Sequence, residues 1–416
     1  MHQDERGAAL APGVFSMPPA LSRLGSPEAR TSIYQFTVYL PGAVATVFLG
    51  LWISQHGIPA DQIGIINALP MLGLLLLNVV VGRLADRADD WRTAIIIISV
   101  ASALAPIGLY FVSEFWGILL VWSLCSISNG LVPPIIDAAT VRMARRNGTD
   151  FGAIRVWATV GYVVGVAAIG VALTQMGPGS FITLYVVMTL GRALLGLGLP
   201  RFRAPSAKTT LAEPNLQAVT GTRLRDSLQL WFVLPLVAFA LVNSSNALIG
   251  GFAALLWHES GIADYYIGPL LAAAAAAEAL AMFLWRRFGG RFTARNMILA
   301  AAIAGLIRFT VMAFNPPVEL LFFVQTLHAF SFGIGYLGVV HFIANWTNEA
   351  NAAEAQGFAN MLQQGASMFA LVAFGFLVEL FGAGAFFYST LTSSIAIVCV
   401  LLSLKLRPPK DAVLPR

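Results

Sequence analysis

Apolar residues along this chain come in long unbroken runs separated by short polar gaps. A helix needs about 20 such residues to cross the ~30 Å hydrocarbon core of a bilayer. Twelve runs reach that length, at 33–54, 62–82, 93–112, 115–141, 151–174, 180–199, 230–257, 264–285, 297–314, 318–345, 354–378 and 384–405. They are continuous and do not alternate apolar with polar, as the strands of a membrane barrel do. The pattern predicts an all-α membrane protein with twelve transmembrane helices.

The gaps carry a second pattern. Of the 25 Lys and Arg residues, all but Arg155, Arg192 and Arg308 fall in the N-terminal tail, in the gaps after the second, fourth, sixth and eighth runs, or at the C-terminal end. The gaps after the odd-numbered runs hold none. Lys and Arg collect on the cytoplasmic side of a membrane, so both termini are expected in the cytoplasm of a multi-pass protein of the inner (plasma) membrane. Residues 1–30, with Pro12, Pro18, Pro19 and Pro27 and no apolar run of signal-peptide length, read as a disordered cytoplasmic tail. The polar stretch 200–229, with Pro200, Pro205 and Pro214, reads as a cytoplasmic linker. It divides an N-terminal six-helix bundle, 31–199, from a C-terminal one, 230–407, and 408–416 forms a cytoplasmic tail.

Composition narrows the class. The chain is 58% hydrophobic and 11% charged, against roughly 25% charged in soluble proteins. That excludes a disordered chain, a nucleic-acid module and an ordinary cytosolic enzyme. The net charge is only +5 and its basic residues lie between apolar runs, so no nucleic-acid partner is expected. Cys125 and Cys399 sit inside apolar runs and read as core thiols. No nucleophile–base pair, metal cluster, phosphate loop or ATPase motif appears, so neither an enzyme nor a cofactor nor a metal is expected.

The two halves resemble each other. Gly57-Ile58-Pro59-Ala60-Asp61-Gln62-Ile63-Gly64 leads into the second run, and Gly261-Ile262-Ala263-Asp264-Tyr265-Tyr266-Ile267-Gly268 leads into the eighth. The same offset carries Arg83 onto Arg287 and Arg87 onto Arg291. Both copies start on the same side, so the repeat is parallel, which places a ligand site between the halves near the midplane. The first cytoplasmic turn, Gly82-Arg83-Leu84-Ala85-Asp86-Arg87, resembles the Gly-x-Leu-Ala-Asp-Arg signature of the major facilitator superfamily. That likeness implies two six-helix pseudo-repeats and a gating turn, in which Gly82 permits a tight turn while Asp86 and Arg87 pin neighbouring helix ends. A simple basic topology loop is the other reading of this turn.

A charge near mid-bilayer costs at least ~2.5–3.5 kcal/mol, so each needs a partner or a purpose. Arg192 lies near the cytoplasmic end of its run and is expected to snorkel. Asp137 and Arg155 flank a short cytoplasmic turn at similar depth, and Pro133-Pro134 should kink the fourth span. The two form either a structural ion pair or a substrate-binding pair. Glu278 follows six alanines, Ala272 to Ala277, which allow another helix to approach. An acid, an arginine and a histidine in adjacent spans, Glu278, Arg308 and His328, suit a proton relay, since histidine titrates near neutral pH. Tyr34, Tyr39, Tyr162 and Trp157 are candidate cavity aromatics.

These residues carry a narrower resemblance. Asp137 and Arg155, eighteen apart, with Asp150-Phe151-Gly152-Ala153-Ile154-Arg155-Val156-Trp157, look like the substrate-binding turn of the lactose-permease-like branch. That likeness places the branch's sugar-stacking aromatic on Tyr162 and its proton and sugar residues on Glu278, Arg308 and His328. Ser331 stands where the sugar symporters carry a glutamate. The run Gln325-Thr326-Leu327-His328-Ala329-Phe330-Ser331-Phe332-Gly333, with Ala277-Glu278 and Ile307-Arg308-Phe309, is similar to the phenylpropionate permease family.

The reading that follows is a proton-coupled symporter, working by alternating access, for a small organic solute such as an aromatic carboxylate. Its expected partners are that solute, protons and the lipid bilayer, and it is expected as a monomer. A sugar, nucleoside or muropeptide on the same machinery, a drug–proton antiporter, and a membrane sensor or scaffold are the alternatives.

Overall fold

The computed structural model describes residues 25–87, 90–202, 229–288, 292–347 and 352–407. All regular structure among them is helical. The first half holds α1 (Pro27–Val38), α2 (Leu40–Gln55), α3 (Ala60–Arg87), α4 (Trp91–Leu104), α5 (Phe115–Gly130), α6 (Val132–Asn147), α7 (Phe151–Met176) and α8 (Phe181–Gly196). The second half holds α9 (Leu230–Leu248), α10 (Ala254–Glu259), α11 (Asp264–Phe288), α12 (Ala294–Ala313), α13 (Val318–Thr326), α14 (Gly335–Trp346), α15 (Ala352–Phe381) and α16 (Phe387–Leu406).

Among the described residues, 11 helical stretches are long and apolar enough to cross a membrane. The last, Ala355–Leu406, is 52 residues long. It contains α16 and α15 from Ala355 on, joined by the 3-10 turn Gly382–Phe386. The first helix starts at Pro27, inside the stretch expected to be tail, because Ser26 caps it: its Oγ accepts from Ala29 N–H at 3.1 Å. Residues 1–24 and 203–228, and with them most of the expected tail and linker, lie outside the described residues.

Four stretches are interrupted midway, and each interruption has a local cause or form. The α1–α2 break falls at Tyr39, two residues before Pro41, which has no N–H to continue the ladder. The α5–α6 break falls at Leu131, just before Pro133-Pro134, where the proline pair predicted a kink. In the second half, α9 passes into a π-helix at Ile249–Ala253 before α10. A second π-helix, Ala329–Ile334, joins α13 to α14. Such π segments occur often at functional sites.

The packing is unequal at the two ends. At the end remote from the chain termini, one continuous apolar core draws on both halves: Val47, Trp52 and Ile169 pack in the same cluster as Phe252, Trp257, Leu270 and Phe374. At the terminal end the cores are separate. One is built on Phe232, Phe239 and Phe342, the other on Tyr34, Trp91 and Ile136. The halves meet where α3 packs on α15 and α7 on α11. Both contacts run through glycines near the remote end. A methyl added at Gly170 would lie 2.5 Å from Gly268 Cα, and one at Gly64 would lie 2.5 Å from Leu371 O. Gly268 is thus one point of close approach between α7 and α11. The two bundles lean together at one end and apart at the other, with a cavity between them.

Two expectations change. The segment Gly82 to Arg87 is not a tight turn, since α3 runs through it to Arg87. The side chains of Asp86 and Arg87 lie outside the described residues. Arg192 does not snorkel: it is 0% exposed, held inside the first bundle by polar partners. Cys125 and Cys399 are buried free thiols.

Candidate central cavity

The cavity has a volume of about 440 Å³. The first half lines it with Tyr39, Thr46, Arg155, Thr159 and Tyr162. Arg155, Thr159 and Tyr162 are spaced four and three apart on α7, so they share one helix face. The second half adds Asn246, Ile249, Gly250, Leu271, Ala274 and Ala275, with Glu278, Arg308, His328 and Phe332. The interrupted helices supply Tyr39, Gly250 and Phe332 at or beside their breaks.

On the first wall, Arg155 Nε donates to Asp137 Oδ2 at 3.0 Å. Its Nη2 donates to Tyr39 Oη, also at 3.0 Å. The guanidinium lies 5.3 Å from the Tyr39 ring centroid, in cation–π range. Asp137 Oδ1 accepts from Gln35 Nε2 at 3.0 Å. The pair is not sealed off, since Arg155 and Asp137 side chains are 27% and 30% exposed. Asp137 is not a lining residue; it stands behind Arg155 and fixes its direction.

On the opposite wall the charges form a chain. Glu278 Oε2 lies 3.2 Å from His328 Nε2. His328 Nδ1 lies 3.1 Å from Arg308 Nη1. A guanidinium has only protons to give, so in this contact Nδ1 accepts and the ring proton sits on Nε2, aimed at the Glu278 carboxylate. Asn246 Oδ1 lies 3.2 Å from the same Nδ1 and is the acceptor when that atom carries a proton. The Nε2–H tautomer therefore suits an ionised Glu278, and the Nδ1–H tautomer is partnered on both sides only when Glu278 carries a proton. The ring also stacks on Phe332, with centroids 5.4 Å apart and planes 2° from parallel.

Arg308 is 1% exposed, and every one of its hydrogen-bond partners is neutral. Nη1 donates to Asn246 Oδ1 at 2.8 Å, and Nη2 to Gln325 Oε1 at 2.5 Å. Ser331 Oγ is 3.5 Å from Nη1. Arg155 has a carboxylate; Arg308 has none among the described residues.

The structure brings Arg155, Tyr162, Glu278, Arg308 and His328 to one cavity, with Asp137 in support. It leaves out two expected aromatics. Trp157 is two residues from Arg155 and so points about 200° around the helix from it; it is absent from the lining. Tyr34 is 0% exposed and bonds Ser99 instead. Asn246, Gln325 and Gln35 were not anticipated. Asn246 had a visible signal, the polar cluster Asn243-Ser244-Ser245-Asn246 inside an apolar run.

Two bundles that share a core at one end only, with ionisable groups facing across a cavity between them, define a multi-pass membrane transporter. The chain belongs to the MFS_1 like family, which matches residues 33–389. This is a family of major facilitator secondary transporters, not of enzymes. The chain is 25% identical over 378 residues to a protein described as a probable 3-phenylpropionic acid transporter of Escherichia coli (strain K12), covering 87% of this chain and 93% of the relative. It is 23% identical to the maltose permease of Geobacillus stearothermophilus, covering 90% and 94%. Among solved structures, the nucleoside transporter NupG superposes with a TM-score of 0.78 at 15% identity, covering 92% of this chain and all (100%) of that one. A D-xylose-proton symporter superposes with a TM-score of 0.71 at 15% identity, covering 94% and 100%. These two establish likeness of fold.

Proposed function

We propose that this protein is a proton-coupled symporter that takes up a small organic carboxylate with an aromatic or apolar body. We read it as crossing the inner membrane twelve times, counting α15 and α16 as separate crossings, with both termini in the cytoplasm as the Lys and Arg distribution favours. The remote end then faces outward, and the conformation described is closed outside and open inside.

The observation that carries this reading is the chain Glu278–His328–Arg308 along one cavity wall. Glu278 and His328 share one proton in a polar contact that has an acceptor or donor for each tautomer. Arg308 is a buried cation with only neutral partners among the described residues, and an anionic solute supplies the charge it lacks. Phe332, Tyr162 and Leu271 offer apolar and aromatic surface beside it. The relative described as a probable 3-phenylpropionic acid transporter supports the same solute class. With His328 neutral, the two acids Asp137 and Glu278 balance Arg155 and Arg308. One proton on Glu278 leaves the site a single positive charge, which one carboxylate neutralises.

A second reading has support from the partly exposed Asp137–Arg155 pair, which presents donors and acceptors suited to an uncharged polyhydroxyl solute, a sugar or a nucleoside. Binding to purified protein separates the two. The account expects 3-phenylpropionate or cinnamate to bind, and to lose binding in Arg308→Gln, while lactose and uridine do not bind. Binding of lactose or uridine alone would replace the carboxylate reading with the second one.

A further inference from the structure

Arg192 is an arginine inside the first bundle with no acidic partner among the described residues. Its guanidinium is shared out among three other helices. Nη1 donates to the Val38 carbonyl at 3.2 Å and to Asn129 Oδ1 at 2.6 Å. Nη2 donates to Ser102 Oγ at 2.6 Å. Two of these groups border interruptions. Val38 is the last residue of α1, one before the break at Tyr39, and the final carbonyls of a helix lack intrahelical partners. Asn129 lies two residues before the break at Leu131.

One partner of Arg155 sits at the first break and the other lies beyond the second. Tyr39, directly after Val38, accepts from Arg155 through its hydroxyl. Asp137, on α6 beyond Leu131, accepts from Arg155 Nε. One buried cation therefore ties together the two breaks that aim the two partners of the cavity's arginine.

We propose that Arg192 is a positioning residue for the Asp137–Arg155–Tyr39 cluster. By holding both interruptions in one register it sets the direction of Arg155 without touching solute. The proposal rests on reading that cluster as a solute contact. A five-donor planar fork suits this task, since it reaches a carbonyl, an amide and a hydroxyl at once; a lysine ammonium reaches fewer of them in fixed geometry.

The test uses the full chain in nanodiscs and proteoliposomes, with Arg192→Gln, Arg192→Lys and, in case both unfold, Asn129→Ala, which leaves the cation in place. Two readouts are taken: the structure of each variant, and KM against maximal rate for the solute that wild type transports. The expected result is a folded Arg192→Gln protein in which the Arg155–Tyr39 hydrogen bond is lost. KM should rise about tenfold or more, in the range that misplacement of a site costs, with the maximal rate less affected. Arg192→Lys should restore part of the loss, and Asn129→Ala should show a smaller rise. A variant whose Arg155, Asp137 and Tyr39 stay as in wild type would overturn the positioning role. Displaced residues with unchanged KM would instead overturn the reading of the cluster as a solute contact.

Discussion

Arg155, Arg308 and Arg192 differ by what surrounds them. Arg155 has a carboxylate, Arg308 has amides, a hydroxyl and an imidazole, and Arg192 has a carbonyl, an amide and a hydroxyl. The first and second face the cavity, while the third does not. Removing the charge from the Arg155 partner, in Asp137→Asn, takes away a charge-assisted hydrogen bond worth roughly 1.5–3 kcal/mol. Solute binding measured by titration should weaken roughly ten- to hundredfold. Unchanged affinity would make the pair purely structural. Replacing Glu278 with Gln removes the proton acceptor but keeps the shape. This variant should still exchange labelled solute across the membrane and should no longer accumulate it against a gradient. Loss of both activities together would argue that Glu278 holds the solute rather than the proton.

Sequence made the ionisable residues at this scale visible, because a charge in an apolar run stands out. It could not supply their partners. Arg192 looked close enough to a membrane face to snorkel, since depth counted along one helix says nothing about which side faces a neighbour. Trp157 was one of the candidate cavity aromatics, yet helical geometry turns it away from the face that carries Arg155. Asn246 and Gln325 carry the same difficulty: an amide in an apolar run signals a polar site without saying which charge it serves.

Helices that break are the elements that carry this site. Tyr39, Gly250, His328 and Phe332 all sit at or beside interruptions, where the backbone departs from the regular ladder. Pro133-Pro134 announced one of the breaks in the sequence, whereas the break beside Pro41 falls inside a run read there as one continuous span. The two π segments contain no proline and left no comparable mark. Helix contacts between the halves depend on the absence of side chains at Gly170 and Gly268. A leucine at Gly268 has no room against α7, and overpacking of this kind costs typically ~1–3 kcal/mol. Because that cost exists only while the remote end is closed, Gly268→Leu should shift the population toward the state open at that end. Alkylation of a cysteine placed at cavity residue Thr46, in a background lacking Cys125 and Cys399, should become faster from the outer side. An unchanged rate would mean that the Gly170–Gly268 contact is not part of the gate.

The whole molecule turns on asymmetry between its ends. The apolar runs foretold an all-helical membrane protein, and the chain's place among major facilitator transporters agrees. The conformation was not legible, because the same sequence must support both open states and no local pattern favours one. The apolar cluster shared at the remote end, and the separate clusters at the terminal end, resolve it. At this scale the charge balance of the cavity makes a further prediction: one proton and one carboxylate should cross together, so uptake should not change when a potassium diffusion potential is imposed. A marked rise with an inside-negative potential would require more than one proton per anion or an uncharged solute.

The most direct measurement of the central claim is proton movement driven by a solute gradient alone. Proteoliposomes without an imposed pH gradient would receive 3-phenylpropionate outside, with external pH recorded for wild type and Glu278→Gln. The account predicts alkalinisation with wild type and none with the variant. Alkalinisation of equal size in both, or solute entry into wild-type vesicles with no pH change, would contradict a proton carried by Glu278 and His328.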